Sequence, residues 1–501
     1  MANSLQIEPF SIDKEDVVIV KPSKPTPSDV LSLSTIDNDH NLEILCQTIY
    51  VYKAANNNIS SNGSVNGTDH DHPTSNHSAN WQAADPACVI KEALSRVLVY
   101  YYPLAGKLKR QKSNGRLQLT CTADGVPFLV ATANCELSSL QYLDGIHVEI
   151  ANKFVFNMPA HPEGDDDGNH PLLLQVTKFS CGGFTIGMGV YHSVVDGFGA
   201  AQFFRAMAEL ASGKSEPSVK PVWERERLLA RIPTVQAGTV SPDLEDFTVF
   251  KVSKATSPYL PTTDLVHECF YVNNDSIKRL KKSLITKRST GNNEKVALEE
   301  SLTTLEVLSA YVWRSRFRAL KLNSDGKTIL SFTVGIRRIL DPTLPNGYYG
   351  NAFVSSHVVL LGRDLDKGPL SSVVRMIKES KKKACNTNYI RNSLAMLEWI
   401  REQNVVFTGD GASMVLTDWR QLGLFEEVDF GWKAVVNMIP VPWNMFGYVD
   451  LCIFMPPSNL DPSTRGGVRV FTCLPKAAMA KFREEMDALS KIGNEDHSAL
   501  A

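Results

Sequence analysis

No run of about 18 apolar residues occurs in this chain, so no segment can cross a bilayer as a helix. Charge of one sign is missing too. The 52 Lys and Arg nearly balance the 54 Asp and Glu, for a formal net charge of −2. No basic field remains to suggest a nucleic-acid partner. Nor do cysteines pair up: Cys46, Cys88, Cys121, Cys135, Cys181, Cys269, Cys385, Cys452 and Cys473 form no C-x-x-C. An odd, scattered set reads as reduced thiols. The opening, Met1 to Asp16, lacks the basic-then-apolar order of a secretory signal. A cytoplasmic protein without a membrane partner is therefore expected. The sequons beginning at Asn58, Asn62, Asn66 and Asn76 are expected to stay unglycosylated. Repeats of fixed spacing are absent, as are a G-x-S-x-G elbow, a P-loop and an H-E-x-x-H. Nothing marks a serine or cysteine nucleophile, which weighs against a hydrolase.

What is present is a long, mixed chain. A length of 501 residues exceeds one ordinary core, so two domains are the default. The expected division is an N-terminal domain over 1–215, a crossover over 216–260 rich in Pro and charge, and a C-terminal domain over 261–501. Residues 56–80 are polar and low in complexity. They cannot bury enough apolar surface to offset their ordering entropy, so a disordered insert is expected. Its His70, His72 and His77 have no scaffold to fix them on a metal, and no metal site is expected. A second polar loop runs from His161 to His170.

Local patterns place the elements. Asp85-Pro86 looks like an N-cap with proline at N1, followed by Ile90, Leu94, Val97, Leu98 and Tyr101 at helical spacing. Phe184, Ile186, Met188 and Val190 alternate along FTIGMGVYH, which predicts a strand with one buried face. Asp196-Gly197 turns the chain into the amphipathic stretch AAQFFRAMAEL. Later, HECFYV reads as a strand and IKRLKKSL as a basic helix. Thr303-x-x-Glu306 is a capping box ahead of the helix LEVLSAYVWRSRFRAL. Strands are predicted at ILSFTVGI, AFVSSHVVL, DLCIFM and VRVFTCL, and a helix from Lys476 to Leu489. Strands and helices in both halves predict two α/β layers meeting at a cleft.

His192-Ser-Val-Val-Asp196 is an H-x-x-x-D, a weak pattern alone because His161-Pro-Glu-Gly-Asp165 matches it as well. Context separates them. His161 lies in an acidic loop, whereas His192 ends a buried strand at a glycine turn, where its ring can be fixed. Imidazole, with a reference pKa of about 6.5, can accept a proton near neutral pH. The residues alone leave open whether His192 is a base or a satisfied core histidine. Asp196 offers a second acid or base, but it reads rather as structural, a short carboxylate able to bond backbone amides or an arginine, with Arg337 and Arg338 as candidates. Thr417-Asp418-Trp419 offers a hydroxyl and an indole N–H that suit an oxyanion. Asp429 in Asp-Phe-Gly-Trp-Lys433 reads as the brace of an aromatic hinge.

HSVVDG at 192–197 and DFGWK at 429–433, in that order, resemble the two signatures of the BAHD acyl-CoA-dependent acyltransferases. KPSKPTPSDVLSLSTID, YYPLAGKL, LEVLSAYVWRSR, LPNGYYGN and LTDWRQLG resemble further segments of that family, so the likeness covers the chain apart from 56–80. It implies two chloramphenicol-acetyltransferase-like domains of mixed sheet plus helices, a long crossover, and an active-site channel at their interface. It implies acyl-CoA as a co-substrate, a small-molecule acceptor, no bound cofactor and a monomer. His192 would be the general base, Trp419 with Thr417 would stabilise the oxyanion, and Arg337 would orient the site through Asp196. Asp429 would be structural. Two positions depart from the family pattern: Lys433 replaces a glycine, and Gly335-Ile-Arg337 stands where Asp-x-Arg is usual. The 192–226 stretch looks closest to the branch of taxane acyltransferases and alcohol acyl- and benzoyltransferases. That suggests O-acylation of a terpenoid, alkaloid or hydrophobic alcohol with an acetyl or benzoyl group. An amine acceptor, or a non-catalytic relative that binds CoA esters, are the alternatives.

Overall fold

A computed structural model describes residues 9–54, 85–145, 148–158, 167–230, 253–286, 302–403, 409–425, 428–432, 435–441 and 450–492. The insert 56–80 with its sequons, the His161–Asp165 match and Lys433 lie outside the described residues. Among the described residues, sixteen strands form three sheets. In chain order the strands are β1 (Ile12–Lys14), β2 (Val18–Val20), β3 (Val30–Ser32), β4 (Leu45–Tyr52), β5 (Lys107–Arg110), β6 (Leu117–Thr120), β7 (Val126–Ala133) and β8 (Leu172–Phe179). They continue with β9 (Phe184–Tyr191), β10 (Leu265–Val272), β11 (Lys327–Gly335), β12 (Phe353–Leu361), β13 (Ser413–Asp418), β14 (Val435–Pro440), β15 (Leu451–Met455) and β16 (Val468–Pro475).

The first sheet runs β1-β7-β8-β9-β4-β14, with β2 also on β7. Within it β7 and β8 pair in parallel, and the other neighbours are antiparallel. Helices α1 (Pro86–Val97) and α2 (Gly197–Ala211) share its core, where Ile90, Leu94, Phe203, Phe204 and Met207 meet Tyr50, Phe184 and Ile186. Tyr50 stacks on Phe204 at 3.9 Å. The expected N-cap of α1 is present: the Asp85 side chain accepts from Ala87 N, with Pro86 at N1.

The second sheet runs β10-β16-β15-β13-β11-β12, with β13 parallel to both neighbours. It carries α3 (Asn274–Thr286), α4 (Thr304–Ala319), α5 (Leu370–Ala384) and, after α6 (Thr387–Glu402), the last helix α7 (Lys476–Lys491). Thr303 and Glu306 close the predicted capping box, and α4 is buried on nearly every side. Trp313 satisfies its indole N–H on Thr328 Oγ1 at 3.1 Å, as a buried indole must.

One strand crosses between halves. β14 lies beyond the 216–260 segment, yet it pairs antiparallel with β4 and completes the edge of the first sheet. It is tied onward by Asn437, whose amide donates to Tyr142 O while its oxygen accepts from Arg469 of β16. Residues 222–228 are no loose linker either: Val222 bridges to Tyr348, and Arg225 is buried among Trp223, Tyr348 and Tyr349.

Candidate active site

Strand β9 delivers His192 from the middle of its sheet, paired on one edge with β4 and on the other with β8. It is buried on both faces from Phe184 to Val190, not on one as the alternation predicted, because the small Thr185, Gly187 and Gly189 let Phe154 close over the second face. The chain then turns sharply. His192 N donates to Ile44 O at 2.9 Å, Ser193 Oγ to Leu42 O at 2.9 Å, and Val194 N to Tyr191 O at 2.9 Å. Asp196 caps α2 by accepting from Gly199 N at 2.9 Å. Gly199 cannot carry a side chain, since a Cβ there would lie 1.9 Å from Tyr349 O.

The His192 ring is held by a residue that sequence reasoning did not single out. Its Nδ1 lies 3.0 Å from Asn351 Oδ1. Asn351 Nδ2 donates to His192 O at 2.6 Å and to Asp37 Oδ1 at 2.7 Å. With both amide hydrogens engaged there, Oδ1 is the atom left to face the ring, and it can only accept. Nδ1 therefore carries the proton, and Nε2 keeps its lone pair. Asn351 and Asp37 are both fully buried. Asp37 Oδ1 also accepts from Asn351 N at 3.2 Å, while Oδ2 accepts from Ser34 N at 3.0 Å and lies 3.7 Å from Arg225 Nε. Phe353 stands edge-on to the imidazole, with ring centroids 6.1 Å apart.

Asp196 is fully engaged. Its carboxylate takes a two-pronged ion pair from Arg337, at 2.7 and 2.8 Å, and also accepts from Ala352 N at 3.1 Å. Arg337 further donates to Gly350 O at 2.7 Å and lies over the Phe198 ring. Of the two candidate arginines, Arg337 is the partner and Arg338 is exposed. Gly335 is exposed, and a Cβ there would meet no atom within 4 Å, so the pair forms without an acidic residue at that position.

Thr417 and Trp419 sit at the end of β13, in the second sheet. Trp419 N donates to Phe454 O at 2.7 Å, and its ring packs against the core of the first sheet. Three residues on, Leu422 meets the turn after His192: a Cβ on Gly197 would lie 2.6 Å from Leu422 Cδ1. The segment bearing Thr417 and Trp419 thus docks on the turn that holds Asp196. Asp429 is not part of this group. It is exposed, and Oδ1 accepts from Gly431 N at 2.7 Å, a turn brace. Beside it Phe430 and Trp432 are buried against Tyr52, Phe204 and Phe184, and Tyr52 OH donates to Val428 O at 2.9 Å. Asp37 and Asn351 lie within LSLSTID and LPNGYYGN; a buried polar residue closing each apolar segment was the only local sign of them.

Among the described residues, no three His, Cys, Asp or Glu side chains are grouped to hold a metal. None of their helices is long and apolar enough to cross a membrane. All nine cysteines are free thiols.

His192 thus stands on a turn of the first α/β body, against which a segment of the second body docks. The Transferase family model matches residues 77–489, and the chain belongs to that family, the BAHD acyl-CoA-dependent acyltransferases. It is 43% identical over 98% of its length, and 99% of the relative's, to an Arabidopsis thaliana spermidine coumaroyl-CoA acyltransferase. An Arabidopsis thaliana spermidine sinapoyl-CoA acyltransferase is 42% identical, over 96% of this chain and 98% of the relative. Taxadien-5-alpha-ol O-acetyltransferase of Taxus chinensis is 31% identical, over 96% and 97%. The fold is similar to that of vinorine synthase, with a TM-score of 0.66 at 22% identity over 96% of this chain and 98% of that one. It is also similar to Fusarium graminearum TRI101 bound to ethyl coenzyme A, with a TM-score of 0.65 at 16% identity over 93% and 99%. The protein is an acyltransferase that uses a CoA thioester as co-substrate.

Proposed function

We propose that this protein transfers an aromatic acyl group, of the coumaroyl or sinapoyl kind, from its CoA thioester to an amine of a polyamine. The observation that carries the reaction is the His192 ring, fixed through Nδ1 on Asn351 with Nε2 left as the acceptor of a proton. The acceptor class rests on the two relatives above 40% identity, both named for spermidine, a triamine without a hydroxyl. This reverses the order of acceptors expected from the 192–226 stretch, in which an alcohol came first and an amine second. O-acylation is retained as the second reading, because relatives at 31% identity include an O-acetyltransferase.

A neutral amine nitrogen attacks the thioester carbonyl and forms a C–N bond. His192 Nε2 takes the proton that this nitrogen sheds. Trp419 and Thr417 are assigned to the oxyanion of the tetrahedral intermediate. Collapse breaks the C–S bond, and the proton on His192 passes to the departing thiolate, giving amide and free CoA. Asp196 and Arg337 keep geometry and move no proton, and Asp429 braces its turn. We further propose a cytoplasmic monomer; gel filtration at twice the chain mass would count against it.

The test is a donor-by-acceptor screen of purified protein, read by mass spectrometry, with coumaroyl-CoA against spermidine and against hydrophobic alcohols. An acylated polyamine with equivalent CoA release is expected, and ester formation alone would establish the second reading. His192→Ala should keep its fold and lose about 10²- to 10⁴-fold in rate, the usual worth of a positioned base.

A further inference from the structure

A polyamine acceptor poses an electrostatic problem that its acyl donor does not. Alkyl amines have pKa values near 10, as lysine does, so at neutral pH a triamine is multiply charged. The attacking nitrogen must be neutral, but the others remain ammonium groups. An ammonium group taken from water without a partner is costly. The site needs a carboxylate that is not already spoken for.

Few are available around His192. Asp37 is consumed by Ser34 N, Asn351 and Arg225. Asp196 is consumed by Arg337, Gly199 N and Ala352 N. Asp418 is paired with Arg420, and Glu43 with both Arg110 and His40. Asp39 differs. Its Oδ1 accepts from Asn41 N at 3.0 Å and Asn41 Nδ2 at 2.8 Å, whereas Oδ2 has no hydrogen-bond or ion-pair partner among the described residues. The residue is half-buried.

Its position is tied to the base on both sides. Two residues earlier, Asp37 holds the asparagine that holds His192. Shortly after, Leu42 O and Ile44 O accept from Ser193 Oγ and His192 N. We propose that Asp39 is the acceptor-specificity residue, binding a distal ammonium of the polyamine while another amine lies at His192 Nε2. Burial pushes the Asp39 carboxyl above the usual carboxylate range, against the Asn41 bonds and the nearby His40 and His192 rings, as befits a carboxylate short of a counter-cation. The proposal rests on the polyamine reading above.

The experiment compares the parent with Asp39→Asn and Asp39→Ser, using coumaroyl-CoA with spermidine and with butylamine, an alkyl amine lacking a second charge. Both substitutions keep an oxygen that can serve the Asn41 cap. The KM for spermidine should rise about tenfold or more in each variant, while the KM for coumaroyl-CoA changes by less than about twofold. The parent's preference for spermidine over butylamine should collapse. A second measurement needs no variant: raising salt from about 0.05 to about 0.5 M should raise the parent's KM for spermidine more than for butylamine, by screening. An unchanged spermidine KM in folded variants, or equal salt response of the two amines, overturns the role of Asp39. Failure of the parent to acylate spermidine is a separate result, seen before any variant is made, and it overturns the polyamine reading itself.

Discussion

At His192 the proposed proton transfer turns on which ring nitrogen holds the proton. A histidine free to rotate would divide its time between tautomers and orientations, and only one of these offers Nε2 to the acceptor. Asn351 removes that freedom because its amide hydrogens are committed to Asp37 and to the His192 carbonyl. Asn351→Ala should therefore lower kcat by about 10- to 100-fold, the usual cost of losing a group that orients another. The KM for acyl-CoA should hardly move. In a His192→Ala background the same change should add almost nothing, since the two residues act as a unit. Steady-state kinetics of the two single variants and the double variant would decide it. Additive losses would mean that Asn351 acts on something other than the base.

The element that presents this ring is the β9–turn–α2 unit, and its stability depends on Asp196. One carboxylate serves as helix cap, ion-pair partner of Arg337 and acceptor for Ala352 N. Asp196→Asn keeps the shape but leaves a largely buried guanidinium without its charge, at a cost of about 3 kcal/mol. Urea unfolding should show that loss, together with reduced turnover. Gly335→Asp, which restores the usual acidic residue, should stay within about 0.5 kcal/mol of the parent, because the position is exposed and open. A large gain or loss there would show that the Asp196–Arg337 pair is incomplete as it stands. Much of this unit was legible in the sequence because its signals are local. The apolar alternation of Phe184 to Val190 and the Asp-Gly turn act within a few residues, as does the Thr303–Glu306 box in the other half of the chain. Asn351 was not legible, since its partners Asp37 and His192 stand 314 and 159 residues away in sequence. No periodicity or spacing records a bond of that kind.

At the scale of the whole molecule, the same limit applies to β14. Val435–Pro440 pairs with β4, so the first sheet takes an edge strand from late in the chain, and the sequence carries no mark of that pairing. The strand is held from the second sheet by Arg469 of β16, which is fully buried. Its guanidinium donates to Asn437 Oδ1 at 2.7 Å, Met438 O at 2.9 Å and Pro456 O at 2.8 Å, and lies 3.7 Å from Asp144. Three acceptors converge on one side chain, two on β14 and one just beyond β15, and the two on β14 are fully buried. Arg469→Met preserves most of the volume and removes every donor. The buried acceptors left behind should cost about 3 to 5 kcal/mol in total. Because the lost bonds run between sheets rather than within either, the cost should fall on their coupling. Calorimetry should show one cooperative transition for the parent and two for Arg469→Met, the lower one carrying the loss of acyl transfer. A single transition at an unchanged temperature would mean that β14 is held by its pairing with β4 alone.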